Sequence, residues 1–402
     1  MRFIHRVTSS ATAAILAVGG LALASTTPAQ AKPLGYRLTN SCSTAAAGFA
    51  RCMAVVRTTI TSLSASGDAI TPNATSPSGK SPANLVSAYS LPSSTAGSGQ
   101  TVAIVDAYND PNAEADLAVY RSYYGLSACT TANGCFKKVN QTGGTSYPRN
   151  NGGWSQEISL DIDMVSAVCP NCKILLVEAT SSSFANLGAA VNEAAALGAN
   201  AISNSYGSSS DTADSTYGTY YNHPGIAVTA SSGDSGYGTS YPASSHYVTA
   251  VGGTTLTASS TTRGWTETAW ADAGSGCSSL NTALTGQASF STGCSGRAEA
   301  DVSAVADPAT GVSVYDSYAY LGSSGWLTFG GTSVSSPIIA SVYALAGNAA
   351  SIDNNYPYTH STALYDVTSG SNGSCTTSQW CTARSGWDGP TGLGTPNGVT
   401  GF

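Results

Sequence analysis

One serine in the sequence stands where a nucleophile would be exposed. Ser333 follows two glycines in the run GGTSVSSP (330–337) and opens an apolar segment with Pro337 near its start, where a helix tolerates proline. This pattern predicts a helix N-terminus, where backbone N–H groups and the helix dipole favour developing negative charge. Taken alone, the segment is compatible with two roles for Ser333, a nucleophile or a helix N-cap.

A nucleophilic serine needs a base, and the sequence offers two carboxylates for that role. Glu157 and Asp161 are four residues apart, so on a helix they share a face and lie close enough to share a proton. Like charges at this spacing repel, so one pKa should rise and the two groups should titrate as a pair. The alternative is a solvated helix surface, but the flanking residues predict a buried helix: Ile158, Leu160, Ile162 and Val165.

A third acid, Asp234, lies in the run SSGDSG (231–236) after an apolar segment. Its flanking glycines predict a tight turn at the end of a strand, and the alternative role is that of a simple Asx-turn residue. Asp106 could serve in a serine–histidine–aspartate triad, but no histidine lies in a glycine-flanked helix start between Asp106 and Ser333. The histidines are instead scattered along the chain: His5, His223, His246 and His360.

Alternating strands and helices must position these residues. The apolar patterns predict strands at 101–107, 173–179, 199–206, 225–231, 248–256 and 326–330, and helices at 112–124, 154–168, 184–197, 212–222 and 334–348. This order predicts an α/β fold, a doubly wound parallel sheet with helices on both faces. Function in such sheets gathers beyond the carboxyl ends of the strands, which is where Asp234 is expected.

The amino-terminal region predicts export. A basic start, an apolar run at 11–24 and a small-x-small site at 29–31 are typical of a signal peptide, so residues 1–31 predict a secreted, extracellular protein. Residues 32–84 are interpreted as a short pro-segment and linker, because 61–84 is rich in Ser, Thr, Pro and Gly. Residues 85–402 would form the main domain. No later run is long and apolar enough to span a membrane, so no membrane partner is expected after signal removal.

Charge and cysteine content narrow the function further. Charged residues make up 9% of the chain and the net charge is −7, without any Lys/Arg run, which argues against a nucleic-acid partner. So few charges would also let the surface tolerate an acidic medium.

The ten cysteines predict five disulfides between nearest neighbours: Cys42/Cys52, Cys129/Cys135, Cys169/Cys172, Cys277/Cys294 and Cys375/Cys381. For Cys169/Cys172 the alternatives are a redox motif or a zinc cluster, which the isolated spacing disfavours.

The ordered set of acids and serine resembles the sedolisin (serine-carboxyl peptidase) family over residues 85–402. Further matching runs are SNSYG (203–207), VTAVGGT (248–254) and DVSA (301–304). The resemblance implies a subtilisin-like fold and an endopeptidase that favours acidic pH and acts on protein or peptide substrates. It assigns the nucleophile to Ser333, the general base to Glu157, the orienting acid to Asp161 and a protonated oxyanion donor to Asp234. The alternative is an exported, non-catalytic binding protein on the same scaffold.

The carboxyl-terminal segment resembles the calcium site of the same family. The matching runs are LYDVT (364–368), SGWD (385–388) and TGLG (391–394). The resemblance implies a Ca²⁺ cofactor held by side-chain and main-chain oxygens, the donor type that this ion prefers. The implied ligands are the carboxylates of Asp366 and Asp388 and the backbone carbonyls of Val367, Arg384 and Gly386. The protein is expected to be a monomer.

Overall fold

A computed structural model of the protein describes residues 35–60, 62–63, 69–70 and 75–402. The predicted signal peptide, residues 1–31, lies outside these residues. Eight of the described strands form a central sheet that is parallel except for Trp265–Ala269, which runs antiparallel to Thr249–Ala258. Across the sheet the order is Trp265–Ala269, Thr249–Ala258, Ala227–Ser231, Ala201–Asn204, Thr101–Ala107, Lys173–Ala179 and Phe136–Asn140, while Val302–Val305 also pairs with Thr249–Ala258.

Helices cover both faces of this sheet. The strand Thr101–Ala107 alternates its side chains, so Val102 and Ile104 join one core and Ala103 and Val105 join another on the opposite face. The first core includes the helices Pro82–Tyr89, Ala113–Tyr123, Gly152–Val168 and Thr332–Ala346, and the second includes Phe184–Ala196. Two single-turn α-helices complete the described set, Asp214–Tyr217 and Tyr356–Thr359. The predicted doubly wound α/β architecture is confirmed.

A second, antiparallel sheet of four strands carries the amino-terminal region. Its order is Gly35–Asn40, Val55–Ile60, Ser323–Gly330 and Val312–Tyr320. Two-stranded ribbons join Arg51–Cys52 to Tyr206–Gly207, Gly276–Cys277 to Ala298–Glu299, Leu364–Tyr365 to Thr395–Pro396, and Ser62–Leu63 to Ala69–Ile70.

This second sheet shows how the residues before the expected boundary at 84 pack against the rest of the chain. Residues 32–84 were predicted to precede the main domain, but Val55–Ile60 pairs directly with Ser323–Gly330, the strand that leads to Ser333. Ala54 and Val56 are buried in the main core. Residues 35–60 thus form a hairpin that extends the second sheet, and the interpretation of residues 32–84 as a pro-segment and linker stays a prediction.

Covalent links follow the predicted pattern. All five nearest-neighbour disulfides are formed, including Cys169–Cys172, and no described cysteine is free. Among the described residues, no helix combines the length and apolar character needed to cross a membrane.

Candidate active site

Ser333 lies in the first turn of the helix Thr332–Ala346 and is fully buried. The residue that caps this helix is Gly331, with φ of 95°, so Ser333 is not the N-cap. Glycine is required at 331 because the conformation is left-handed and a Cβ there would lie 1.8 Å from the carbonyl oxygen of Met53. The Ser333 hydroxyl donates a hydrogen bond to the carbonyl of Ser205 over 3.2 Å.

Glu157 and Asp161 lie one turn apart on the helix Gly152–Val168, and both are fully buried. Glu157 Oε2 accepts the backbone N–H of Ala54 over 2.8 Å. Asp161 Oδ1 accepts the Ser205 hydroxyl over 2.9 Å. Ser205 therefore contacts Asp161 through its side chain and Ser333 through its carbonyl, so one residue links the acid pair to the serine.

Burial controls the electrostatics of this pair. It raises the pKa of Glu157 well above its ordinary value, and the neighbouring Asp161 raises it further, while the Ser333 hydroxyl and the Ala54 amide oppose the rise. Burial likewise raises the pKa of Asp161, with a further contribution from Asp106. The pair consequently retains protons to higher pH than isolated carboxyls would, which is the behaviour that the i, i+4 spacing predicted.

Asp234 follows the strand Ala227–Ser231 and faces the same helix start. Its Oδ1 accepts both the backbone N–H and the hydroxyl of Thr332, each over 2.8 Å. Its Oδ2 is buried and has no hydrogen-bond partner among the described residues. Burial raises the pKa of Asp234 to about 7, although the Thr332 bonds act in the opposite direction. Below that pH the carboxyl carries a proton that Oδ2 is free to donate.

Two neighbours of the site, Asp106 and Ser205, were not predicted from the sequence to contact it. Asp106, in the strand Thr101–Ala107, is fully buried and neither of its carboxyl oxygens has a partner among the described residues. Burial and then the Glu157 charge raise its pKa. The triad pattern drew attention to Asp106 but could not show that its carboxyl would lie close to Glu157 and Asp161. Ser205 belongs to a matching run, but nothing in that run indicated its contacts.

Asp163 and the histidines lie outside this cluster. Asp163, two residues after Asp161, faces away from the pair and accepts the backbone N–H of Tyr315 over 3.0 Å. His223 and His246 line a cavity with Ala227 and Thr249, at the amino ends of two parallel strands and opposite the edge that carries Asp234. No described histidine hydrogen-bonds to the acids or the serine of the site.

The residues predicted to bind calcium lie in two neighbouring segments, 366–367 and 384–388, which are joined by a hydrogen bond. Gly386 N–H donates to Asp366 Oδ2, and Arg384 N–H donates to Asp388 Oδ2, each over 2.9 Å. Burial, with a smaller contribution from Asp366, raises the pKa of Asp388 to about 7. None of the hydrogen bonds between described residues ends on the carbonyls of Val367, Arg384 or Gly386.

This donor set fits Ca²⁺, because two neighbouring carboxylates and three uncommitted carbonyls are hard oxygen ligands. In the described part of the chain no group of three or more His, Cys, Asp or Glu side chains is arranged to hold a metal. Any metal at this loop would therefore depend on main-chain oxygens as well as on the two aspartates.

Comparison with known proteins agrees with the fold. The model of the subtilase family matches residues 141–364, more than half of the chain. Kumamolisin from Bacillus sp. (strain MN-32) is 29% identical over 362 residues, covering 80% of this chain and 63% of the kumamolisin. The chain thus spans less than two thirds of that relative's length.

Comparison with solved structures also supports the assigned fold. A Pseudomonas sedolisin, a serine-carboxyl proteinase solved with two molecules of pseudo-iodotyrostatin, matches with a TM-score of 0.68 and 25% identity, covering 80% of this chain and 96% of that one. The S41 psychrophilic protease, 19% identical with a TM-score of 0.50, covers 80% of this chain and 99% of that chain and supports the fold alone.

The fold is therefore the subtilisin-like α/β fold, and one edge of its central sheet carries a serine surrounded by acids. The chain belongs to the subtilase family and, within it, to the sedolisin (serine-carboxyl peptidase) family.

Proposed function

We propose that the protein is a secreted serine-carboxyl endopeptidase that hydrolyses peptide bonds in protein or peptide substrates and favours acidic pH. The observation that carries this proposal is the cluster of buried acids around Ser333, in which Glu157 and Asp161 are linked to the serine through Ser205 and no described histidine takes part. The family relationship supports the same activity.

In the proposed reaction each group has one role. Glu157 accepts the proton of Ser333 as the hydroxyl attacks the peptide carbonyl, and then returns it to the leaving amine. Asp161 shares that proton and orients Glu157. Asp234, protonated, donates a hydrogen bond to the oxyanion beside the backbone N–H of Ser333. Water then hydrolyses the acyl-enzyme by the same steps.

The proposed preference for acidic pH rests on the role of protonated Asp234 as the hydrogen-bond donor to the oxyanion. Because its pKa is about 7, the proton needed at the oxyanion is present below that pH and is lost as the pH rises through it. Glu157 must be deprotonated to act as a base, so activity should also fall at the acid end. The result is a bell-shaped pH profile with its maximum below neutrality.

We further propose that Asp366, Asp388 and the carbonyls of Val367, Arg384 and Gly386 hold one Ca²⁺. When bound, the ion would cross-link the loop at 384–388 to the segment at 366–367. This loop packs beside the segment that leads to Val302–Val305, since Trp387 Nε1–H donates to the carbonyl of Ala300 over 2.9 Å. Its contribution would be to stability, and no step of the reaction passes through it.

Peptide hydrolysis by variants tests the proposed activity. The protein, collected from culture medium, is incubated with an unstructured protein at pH 3 to 8 and the products are identified by mass spectrometry. The wild type and His246→Ala are expected to cut internal bonds, while Ser333→Ala does not. Hydrolysis that survives Ser333→Ala, or that is lost with His246→Ala alone, would contradict the proposal. Absence of any hydrolysis would favour a binding protein instead.

A further inference from the structure

The turn that carries Asp234, residues 232–238, is bonded to a neighbouring segment, residues 272–275. Three backbone hydrogen bonds of 2.9, 2.6 and 2.8 Å join the two: from Gly236 N–H to the Asp272 carbonyl, from Gly238 N–H to the Ser275 carbonyl, and from Gly274 N–H to the Gly233 carbonyl. The packing is also tight, since a Cβ on Gly274 would lie 1.8 Å from the carbonyl oxygen of Ser232. The position of Asp234 therefore depends on the position of residues 272–275.

One buried asparagine bonds to both the turn and this segment. Asn372 is only 2% exposed. Its side-chain amide donates to the carbonyl of Ala273 over 2.6 Å and to the Ser275 hydroxyl over 2.8 Å. Its backbone carbonyl accepts Tyr237 N–H, from the turn itself, over 2.9 Å. Asn372 therefore contacts the turn directly and also supports the segment to which the turn is bonded.

Asn372 is itself fixed within a loop that a disulfide closes. The loop spans residues 371–382 and contains the disulfide Cys375–Cys381. Asn372 N–H donates to the carbonyl of Cys381 over 3.0 Å. The Ser275 hydroxyl, which accepts the Asn372 amide, donates in turn to the carbonyl of Trp380 over 2.7 Å. This covalently closed loop therefore supports the turn through two of its own residues.

The Asp234 carboxyl depends on such support because hydrogen bonds fix only one of its oxygens. Thr332 donates two hydrogen bonds to Oδ1, whereas Oδ2 has no partner among the described residues. The position of Oδ2, the atom proposed to donate to the oxyanion, therefore depends on the backbone of the turn as well as on Thr332. A displacement of about 1 Å at such a group can cost ~10²-fold in rate.

We propose that Asn372 is a positioning residue for the reaction, because it holds the turn that carries the oxyanion donor Asp234. This inference rests on the proposed function, since Asn372 would act only through Asp234. Loss of the amide would remove the bonds to Ala273 and Ser275 and allow the turn to move, which weakens stabilisation of the oxyanion. Because burial raises the pKa of Asp234 to about 7, a looser turn that admits water should also lower that pKa.

A matched pair of asparagines tests this role. Asn354 is the control, because its amide also donates two hydrogen bonds, to the carbonyls of His246 and Val248 over 2.8 and 3.0 Å, at the opposite edge of the sheet from Asp234. Thermal unfolding, and kcat and KM for one peptide across pH 3 to 8, are measured for the wild type and both alanine variants. Asn372→Ala is expected to lose ~10- to 100-fold in kcat and to move the basic limb to lower pH. Asn354→Ala should lose stability but keep the wild-type kcat and pH profile.

A peptide aldehyde separates oxyanion stabilisation from a general loss of structure. The Ser333 oxygen bonds to the aldehyde carbon, the C=O double bond becomes single, the serine proton passes to Glu157, and the former carbonyl oxygen takes the charge that Asp234 would stabilise. The matching peptide alcohol forms no such adduct. Inhibition by both compounds is measured at pH 4 for the wild type, Asp234→Ala, Asn372→Ala and Asn372→Ser. The serine variant, whose hydroxyl can replace one of the two donated bonds, gives the readout should Asn372→Ala fail to fold.

The ratio of aldehyde to alcohol affinity distinguishes the outcomes. Both Asn372 variants are expected to lose aldehyde affinity, by ~10-fold or more for alanine and by less for serine, while their alcohol affinity stays at the wild-type value. Equal losses for the two compounds, or Asn372 variants whose kcat and pH profile match those of Asn354→Ala, overturn this inference and leave the peptidase function standing. A wild type that does not hydrolyse the peptide, or an Asp234→Ala variant with wild-type aldehyde affinity, overturns the proposed mechanism and this inference together.

Discussion

Single carboxyl groups determine what this site can do. Glu157, Asp161 and Asp106 are all fully buried within one cluster, and each raises the pKa of at least one other member or shares its proton. In subtilases that rely on histidine the base is an imidazole, whereas here the base would be a carboxylate whose affinity for protons is raised by burial.

The influence of Asp106 can be tested without changing the shape of the side chain. Its charge raises the pKa of Asp161, so Asp106→Asn should lower the pKa of the acid pair and move the acid limb of the kcat/KM profile to lower pH. The matched control is Asp163→Asn on the same helix, which faces Tyr315 and should leave that limb in place. An acid limb that stays unchanged in Asp106→Asn, or moves equally in both variants, would contradict this account.

The sequence best predicted the proximity of residues whose spacing places them on the same face of a helix. Glu157 and Asp161 could be placed together because an α-helix brings i and i+4 side by side. The approach of Asp106 and Ser205 to that pair depends on how two strands lie under the helix, and no local pattern carries that information. The position of Met53 was out of reach for the same reason, because its partners lie more than a hundred residues away.

Secondary-structure elements bring these residues to one edge of the sheet. The strand Ser323–Gly330, the turn at Gly331 and the helix Thr332–Ala346 present Ser333, and the helix Gly152–Val168 presents the acids. Buried strands such as 101–107 and 173–179 were predicted at their observed bounds, because continuous apolar runs identify them. The strands Gly35–Asn40 and Val55–Ile60 were missed, because their polar and charged side chains do not show a core-facing alternation.

The turn at Gly331 should be intolerant of any side chain. In a Ser333→Ala background, Gly331→Ala would add both left-handed strain and a clash with the Met53 carbonyl. Gly198→Ala is the control, because Gly198 has φ of +84° but open space around its Cβ position. Denaturant unfolding should show a loss of ~1–2 kcal/mol for Gly198→Ala and a larger loss for Gly331→Ala. Equal losses would show that the close approach of Met53 is unimportant.

The loop at 384–388 should respond to calcium. Adding Ca²⁺ should raise the thermal unfolding temperature of the wild type and a chelator should lower it, because a ligand that binds only the folded state stabilises it by mass action. Asp388→Ala should remove most of that response, whereas Asp353→Asn, at an exposed position outside the loop, should preserve it. A calcium response of wild-type size in Asp388→Ala would contradict the proposed ligand set.

At the scale of the whole molecule, the fold buries an unusual number of acids while the chain carries few charges overall. Burial raises the pKa of Asp110 to about 6 and that of Asp316 to about 8, and nearby aspartates add to the effect. Burial also raises the pKa of Glu178 to about 7, although Lys138, whose Nζ lies 2.9 Å from it, opposes the rise. These groups lie outside the cluster of acids around Ser333, so we expect them to affect stability rather than the proposed chemistry.

Stability should therefore be greatest in acid and should fall as the pH rises. A raised folded-state pKa means that the native protein binds more protons than the unfolded chain, so the free energy of unfolding decreases between the ordinary carboxyl pKa of about 4 and folded values of about 6 to 8. Thermal unfolding of Ser333→Ala across pH 3 to 9 measures this slope. Adding Asp316→Asn should flatten it and adding Asp353→Asn should not. Stability that increases across this range would contradict the prediction.

The central claim is that a carboxylate, not a histidine, activates Ser333. The most direct measurement is kcat/KM for one peptide substrate with the wild type, Glu157→Gln and His246→Ala at the pH of greatest activity. Glutamine keeps the shape of Glu157 but cannot take the serine proton, so the account predicts a loss of ~10²–10⁴-fold for Glu157→Gln and a change of less than about twofold for His246→Ala. A Glu157→Gln variant that retains activity within about tenfold of the wild type would contradict the account.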